Sequence, residues 1–450
     1  METSYPRFIE GIRKEHFDEA SFLYEQRVAL LGSQALPWPD LDDFEQRQEA
    51  HLDALVVAGS SALGLACRSV VLDEPGTIYV ALSLACRLRR ADAMATLLGQ
   101  LDTAANLAGV KAAVDALATE LPDEWTHFVD TALHRQQRLV PVLAQVAGRR
   151  RLPVGEAMEA ALERAGEAGT EALVTALGQL GQSSSRRSLQ AYLQHPQQAI
   201  RRAALLSLLR TGDSLALHPW HANTLSEGWP LAALALGGDC HASALIAASM
   251  REGLEPLACL ESLGQLGDPA TLQVLYDALK TPEQAIAASK ALHRLTGAEL
   301  HEEVFRAEQV DESELFDDEL QAWRERKQAP TRGDGRPYGE AARELSADRA
   351  RWSPWLSQNV GRFVDGTRFR RGRLCTPEVL LAELRDPQSA ALERQSAADE
   401  LAIRYGCPIA LDTSMWVAAQ KKALHGIAAW VEAEGSRFAP GGWYMAGSPQ

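Results

Sequence analysis

From residue 171 to 300 the apolar positions recur at helical spacing in short blocks, and the blocks themselves repeat. Leu272, Leu275, Tyr276 and Leu279 fall on one helical face, and Ile286, Ser289, Leu292 and Leu295 on another. Asp268-Pro269 and Thr281-Pro282 stand at the starts of these two blocks. An aspartate there can cap free N–H groups, and proline is tolerated at the first helical position because its missing N–H has no helical partner. Gly297 suits the left-handed turn that ends a helix. The stretch Thr175–Gly181 reappears as Glu261–Gly267, both ending Leu-Gly-Gln-Leu-Gly, 86 residues later. Pro196–Ile200 and Pro282–Ile286 keep the same offset. Glycines 181, 212, 238, 267 and 297 are spaced by 31, 26, 29 and 30 residues. A period of this size marks stacked helix pairs, since one pair cannot bury its apolar face alone. Small residues (Ala203, Ala204, Ala232, Ala233, Ala287, Ala288) let neighbouring pairs approach closely. The pattern predicts an all-α protein, an α-solenoid with N- and C-terminal helical extensions and no sheet of consequence.

The Leu-Gly-Gln-Leu-Gly copies, the Asp268-Pro269 start and Ile200-Arg201 ahead of Ala203-Ala204 resemble HEAT-like repeats of the phycobilin-lyase type. That resemblance speaks for fold and says nearly nothing of activity.

Read in order, residues 1–75 form an N-terminal helical segment, broken where Trp38 stands between Pro37 and Pro39. Helical periodicity continues over 79–90, 92–101, 109–121, 124–135, 139–147 and 154–165, so the repeat array is placed at 76–300. Residues 301–340 read as an acidic connector and loop. Glu308 to Glu319 holds seven carboxylates and no Lys or Arg, and a Gly-Asp-Gly loop follows at 333–335. Residues 341–450 read as a C-terminal helical domain with a loose tail at Gly441-Gly442-Trp443.

Leu41–Gly59, with Asp42, Arg47, Glu49, Ala50, His51, Leu52, Asp53, Leu55, Ala58 and Gly59, resembles the opening motif of a bacterial family of uncharacterised HEAT-repeat proteins. That family's genes lie near type VI secretion clusters. His16–Leu23, Arg27 and Arg368–Pro377 extend the resemblance, while Ala54 departs from the family's glycine. The resemblance implies a bacterial protein whose partner is another protein, a secretion component or effector. Two roles fit: an adaptor or chaperone that loads an effector, or an immunity protein that neutralises a toxin. The alternative is a HEAT-like enzyme acting on nucleic acid, of the DNA glycosylase kind.

Charge weighs against that alternative. The chain of 450 residues has 45 Lys+Arg against 60 Asp+Glu, a formal net charge of −15, which repels phosphate backbones and anionic membranes. The six cysteines show no C-x-x-C and are expected as buried apolar residues in a reducing compartment. No secretory leader or membrane span is visible, so a cytoplasmic protein is expected. No G-x-S-x-G, H-E-x-x-H or Walker loop occurs, and neither enzyme activity nor a cofactor is expected. His301-Glu302 resembles half of the iron-binding motif of HEAT-like hydroxylases, which need several such pairs where this chain has one. His51 reads as a hydrogen-bonded interface histidine. Arg149-Arg150-Arg151 reads as a solvated helix end rather than a phosphate patch. The arginine run 362–373 suits either a hairpin or nucleic acid.

The largest irregularity is 213–230, where His218-Pro219-Trp220-His221 and Gly228-Trp229-Pro230 interrupt an expected helix. His218, His221, Cys240 and His241 are potential metal donors. No structural zinc is expected from them, because adjacent residues on one helix diverge. His218, Trp220, His221 and Trp229 are instead the predicted partner-binding residues, since irregular inserts carry specificity and aromatics dominate interfaces. The competing reading has both indoles plugging the gap left by the broken helix.

Overall fold

The computed structural model describes residues 4–32, 36–220 and 225–450. Among the described residues the protein is all-α, with a few short strands paired two by two. The helices are α1 (Ser4–Gly32), α2 (Leu41–Ala58), α3 (Ser60–Ser69), α4 (Pro75–Arg87), α5 (Ala91–Gln100), α6 (Leu107–Glu120), α7 (Thr126–Arg135), α8 (Val140–Arg150), α9 (Gly155–Leu162), α10 (Glu167–Leu180), α11 (Arg186–Ala191), α12 (Gln198–Arg210), α13 (Leu231–Gly237), α14 (Cys240–Arg251), α15 (Pro256–Leu266), α16 (Leu272–Ala278), α17 (Pro282–Thr296), α18 (Asp317–Arg326), α19 (Arg349–Asn359), α20 (Pro377–Arg385), α21 (Ala391–Tyr405) and α22 (Val417–Glu434). No single helix among the described residues is long and apolar enough to cross a membrane. The chain packs as two units, residues 1–254 with 374–450, and residues 255–373. These boundaries differ from the divisions at 75, 300 and 340 drawn from composition.

In the first unit α4, α6, α8, α10 and α12 each pack against the next, while α1 lies on α2 and α4. The first glycine of the repeated motif explains the close spacing. A Cβ on Gly178 would stand 2.6 Å from Ser207 Cα on α12, and one on Gly148 would stand 2.9 Å from Ala176 Cα on α10. The helices meet backbone to backbone there, and only hydrogen fits between them. The motif's last glycine does different work. Gly181 has φ 68° and ends α10 in a left-handed cap.

The same unit holds α20–α22 around a core of Leu380, Leu384, Leu401, Tyr405, Leu424 and Phe438. This module is tied to the N-terminal helices by buried charge. Arg27 Nε donates to Glu45 Oε1 at 2.7 Å, with both side chains almost wholly buried. The second oxygen of Glu45 accepts the Val417 N–H at 2.6 Å, and Arg27 Nη2 reaches the Ser414 carbonyl at 3.0 Å. Trp38, expected as a chain break, lies under the Arg394 guanidinium at 3.8 Å. The expected loose tail is instead docked: Trp443, Tyr444 and Met445 are buried, and the Gly447 N–H donates to the Arg404 carbonyl at 2.8 Å.

In the second unit α15 packs on α17, and α16 packs on α17. Gly264 repeats the close approach, with a Cβ there falling 2.7 Å from Ala291 Cα. Ile286 was expected inside and is 61% exposed; the buried stripe runs through Ala285, Ala288, Ser289, Leu292 and Leu295. Two features add short strands to these helices. Strands β1 (His301–Ala307) and β2 (Gly339–Leu345) pair antiparallel, His301 opposite Leu345, joining the stretch taken for connector to the start of the expected C-terminal domain. Phe369–Arg370 crosses the ends of α15 and α17. There Phe369 N–H donates to Gly267 O at 2.8 Å and Gly372 N–H to Leu295 O at 3.0 Å, satisfying carbonyls that a helix terminus leaves without partners.

Candidate functional site

The irregular stretch before α13 is built as turns. His218–Trp220 make one 3-10 turn, with Trp220 N–H donating to the Leu217 carbonyl at 3.1 Å. Trp220 and Trp229 come together edge to face, ring centroids 5.3 Å apart, and both are half-buried. Arg201 on α12 lies 5.3 Å from the Trp229 ring centroid and pairs with Glu227 at 2.9 Å. Its other nitrogen donates to the carbonyls of His195 and Pro196, each at 3.0 Å. The guanidinium is thus fixed by four acceptors or ring faces before anything else arrives. His218 and Leu215 on the same stretch are exposed. His221 lies outside the described residues. The structure brings together the two predicted indoles and adds Arg201 and Glu227, which sequence reasoning missed. Arg201 had a signal, since it follows Ile200 at a recurrent position, but nothing local placed it against Trp229.

The argument that Cys240 and His241 must diverge does not hold. These residues open α14 rather than lying within it, and Asp239 before them has extended backbone, φ −107° and ψ −162°. Asp239 Oδ1 caps the helix, accepting the N–H groups of His241 at 2.9 Å and Ala242 at 3.2 Å. Its other oxygen lies 3.1 Å from His241 Nδ1, and Cys240 Sγ lies 3.8 Å from the same nitrogen. Burial alone would raise the Asp239 acid; the His241 hydrogen bond and the capped N–H groups outweigh it and hold it below its ordinary value. Of the six cysteines four are buried, but Cys240 is exposed and Cys67 half-buried, against the expectation that all were core residues.

A third cluster had no sequence signal. Tyr24 Oη donates to Asp115 Oδ2 at 2.9 Å, Arg149 Nη1 donates to Asp115 Oδ1 at 2.7 Å, and Arg149 Nε meets Asp412 at 3.3 Å. Burial pushes the Tyr24 phenol far above its usual range, and Asp115 adds to it. Burial also opposes the Asp115 charge, but Lys111 and Arg149 overcome it and keep that acid below its ordinary value. The hollow bordered by Tyr24, Tyr79, Asp115, Arg149 and Trp416 has room for about one water molecule, too little for a substrate.

Several expected surface charges turn inward. Arg149 and Arg150 are not a solvated helix end: Arg149 spans Asp115 and Asp412, and Arg150 pairs with Asp123. Arg368 and Arg370 in the arginine run are almost wholly buried, with Arg368 Nε donating to the Leu266 carbonyl at 2.9 Å. Neither is open to a phosphate. His51 Nδ1 lies 2.9 Å from His16 Nδ1 in the α1–α2 interface. His301 and Glu302 sit on β1, not on a helix. The acidic run leads into α18, where Asp317, Asp318 and Glu319 occupy the first turn and Glu312 meets Arg324 at 3.1 Å. No family model matches the chain, and no curated protein matches it.

Proposed function

We propose that the chain is a non-enzymatic scaffold that binds another protein, with its helix pairs arranged as a HEAT-like solenoid. In this reading the partner is a type VI secretion component or effector, and the chain serves as its adaptor or as an immunity protein. The secretion context rests on the sequence resemblance alone. The binding role rests on one observation: two half-buried indoles and a fixed guanidinium share one surface stretch. Trp and Arg with one face packed and one open are the residue types that dominate binding energy, because little side-chain freedom is left to lose.

The test separates binding from gap filling. Affinity capture from a bacterium carrying the gene, read by mass spectrometry, should return one dominant protein partner. Trp220→Ala should then weaken capture by at least about tenfold, equivalent to about 1.4 kcal/mol, while the melting temperature barely moves. A fall in melting temperature of several degrees with normal binding by the folded fraction would assign Trp220 to the core instead. A toxin as the captured protein favours immunity; a spike-tip component favours the adaptor.

A further inference from the structure

We infer that Asp239, Cys240 and His241 form a surface zinc site, with Asp239 Oδ2, Cys240 Sγ and His241 Nδ1 as three of its ligands. One donor atom from each residue lies within 4.8 Å of the other two. The separations match a coordination polyhedron. Zinc bonds of about 2.3 Å to sulfur and about 2.0–2.1 Å to nitrogen or oxygen, set at tetrahedral angles, give edges of about 3.6 Å for S–N and about 3.3 Å for N–O. The observed edges are 3.8 Å and 3.1 Å. Along these two edges a metal needs shifts of only a few tenths of an ångström, and the third, from Asp239 to Cys240, is within 4.8 Å.

The chemistry of the set agrees with the geometry. Thiolate, imidazole and carboxylate are all zinc ligands, and their two negative charges offset the cation. The N-terminus of α14 carries partial positive charge, which favours the thiolate form of Cys240. Asp239 divides its labour: Oδ1 is committed to the helix cap, while Oδ2 faces His241. In the metal-free protein His241 Nδ1 lies within hydrogen-bond distance of Oδ2. Zinc would take neutral His241 through Nδ1, with the ring proton on Nε2, and would release the thiol proton of Cys240 to solvent. Cys240 and His241 are exposed, so an ion has direct access. The site does not depend on the partner-binding reading.

The test uses the full chain, stripped with chelator, desalted and titrated with zinc chloride against a chromophoric indicator. One zinc per chain is expected. Cys240→Ser and His241→Ala should each weaken it by at least about tenfold, since losing even an outer-sphere contact costs that much. Asp239→Asn keeps a capping oxygen and removes the charge, so it should weaken zinc while leaving the helix intact. Cobalt(II) in place of zinc should show sulfur-to-metal charge-transfer absorption that Cys240→Ser abolishes. No stoichiometric zinc in the wild-type chain, unchanged affinity in Cys240→Ser, or cobalt without the sulfur band would each overturn the assignment. Thermal melts of the three variants, expected to match wild type, separate ligand loss from unfolding.

Discussion

Gly267→Ala is expected to cost about 3–5 kcal/mol, and Gly181→Ala only about 1–2 kcal/mol, although the two glycines end the same repeated heptapeptide. Both have left-handed backbone, φ 71° and φ 68°. Either alanine therefore carries the steric cost of that conformation, about 1–2 kcal/mol. The surroundings then separate them. Beyond Gly181 the nearest atom to an added Cβ is the Arg210 carbonyl oxygen at 3.9 Å, an ordinary contact. At Gly267 the Cβ would fall 2.0 Å from the Phe369 carbonyl oxygen, which is backbone and cannot swing aside. The strand must retreat, which strains its N–H bond to Gly267 and the Arg368 bond to Leu266. Leaving such buried groups unsatisfied costs about 1–3 kcal/mol each. Denaturant titration of both variants, with hydrogen exchange at α15 and α17 as the local readout, measures the difference. Equal losses would mean that the crossing segment does not lock these helix ends.

Arg27→Met is expected to destabilise the protein by about 3–5 kcal/mol at pH 8, because it strands the Glu45 carboxylate in the interior. Glu45 is almost wholly buried, and burial, the largest influence on it, already holds its acid above the ordinary value despite Arg27. Removing Arg27 removes the chief opposing influence, so the acid rises further. The sign of the pH dependence follows. A carboxyl whose folded-state pKa lies above its unfolded value binds protons more tightly when folded. Its folded state therefore loses stability as pH rises from the unfolded pKa through the folded one, and regains it as pH falls. The deficit of Arg27→Met relative to wild type should shrink between pH 8 and pH 5, where Glu45 can protonate and still accept the Val417 N–H. Asp115 has the opposite sign. Its acid lies below the ordinary value, so its contribution holds above the unfolded pKa and fades as pH falls through the folded one. Urea midpoints of wild type and variant between pH 8 and pH 5 check the Glu45 effect, and wild-type midpoints below about pH 4 check that of Asp115. A deficit of Arg27→Met that is independent of pH would show that packing, not stranded charge, sets the cost.

The sequence by itself determined the helices and their punctuation. The expected helices over 92–101, 109–121 and 124–135 correspond to Ala91–Gln100, Leu107–Glu120 and Thr126–Arg135. Periodicity, prolines at first positions and glycines at ends act within a few residues, so a local reading reaches them. It also singled out Trp220 and Trp229, because large aromatics in a broken repeat are visible without coordinates. Contacts between distant segments were decided only by tertiary structure. Asp115 is an unremarkable helix residue until Tyr24, 91 positions earlier, and Arg149, 34 positions later, converge on it. Arg368 and Arg370 read as a cationic surface run because composition cannot tell that α15 supplies the Gln265 and Leu266 carbonyls for Arg368 and the Gln265 side-chain oxygen for Arg370. Cys240 and His241 were judged as neighbours inside a helix. Their convergence depends on where α14 begins, and a shift of one residue in a helix boundary turns diverging side chains into a cluster. Periodic burial is written in every residue of a helix, whereas a polar site depends on a few side chains whose partners are chosen by the fold.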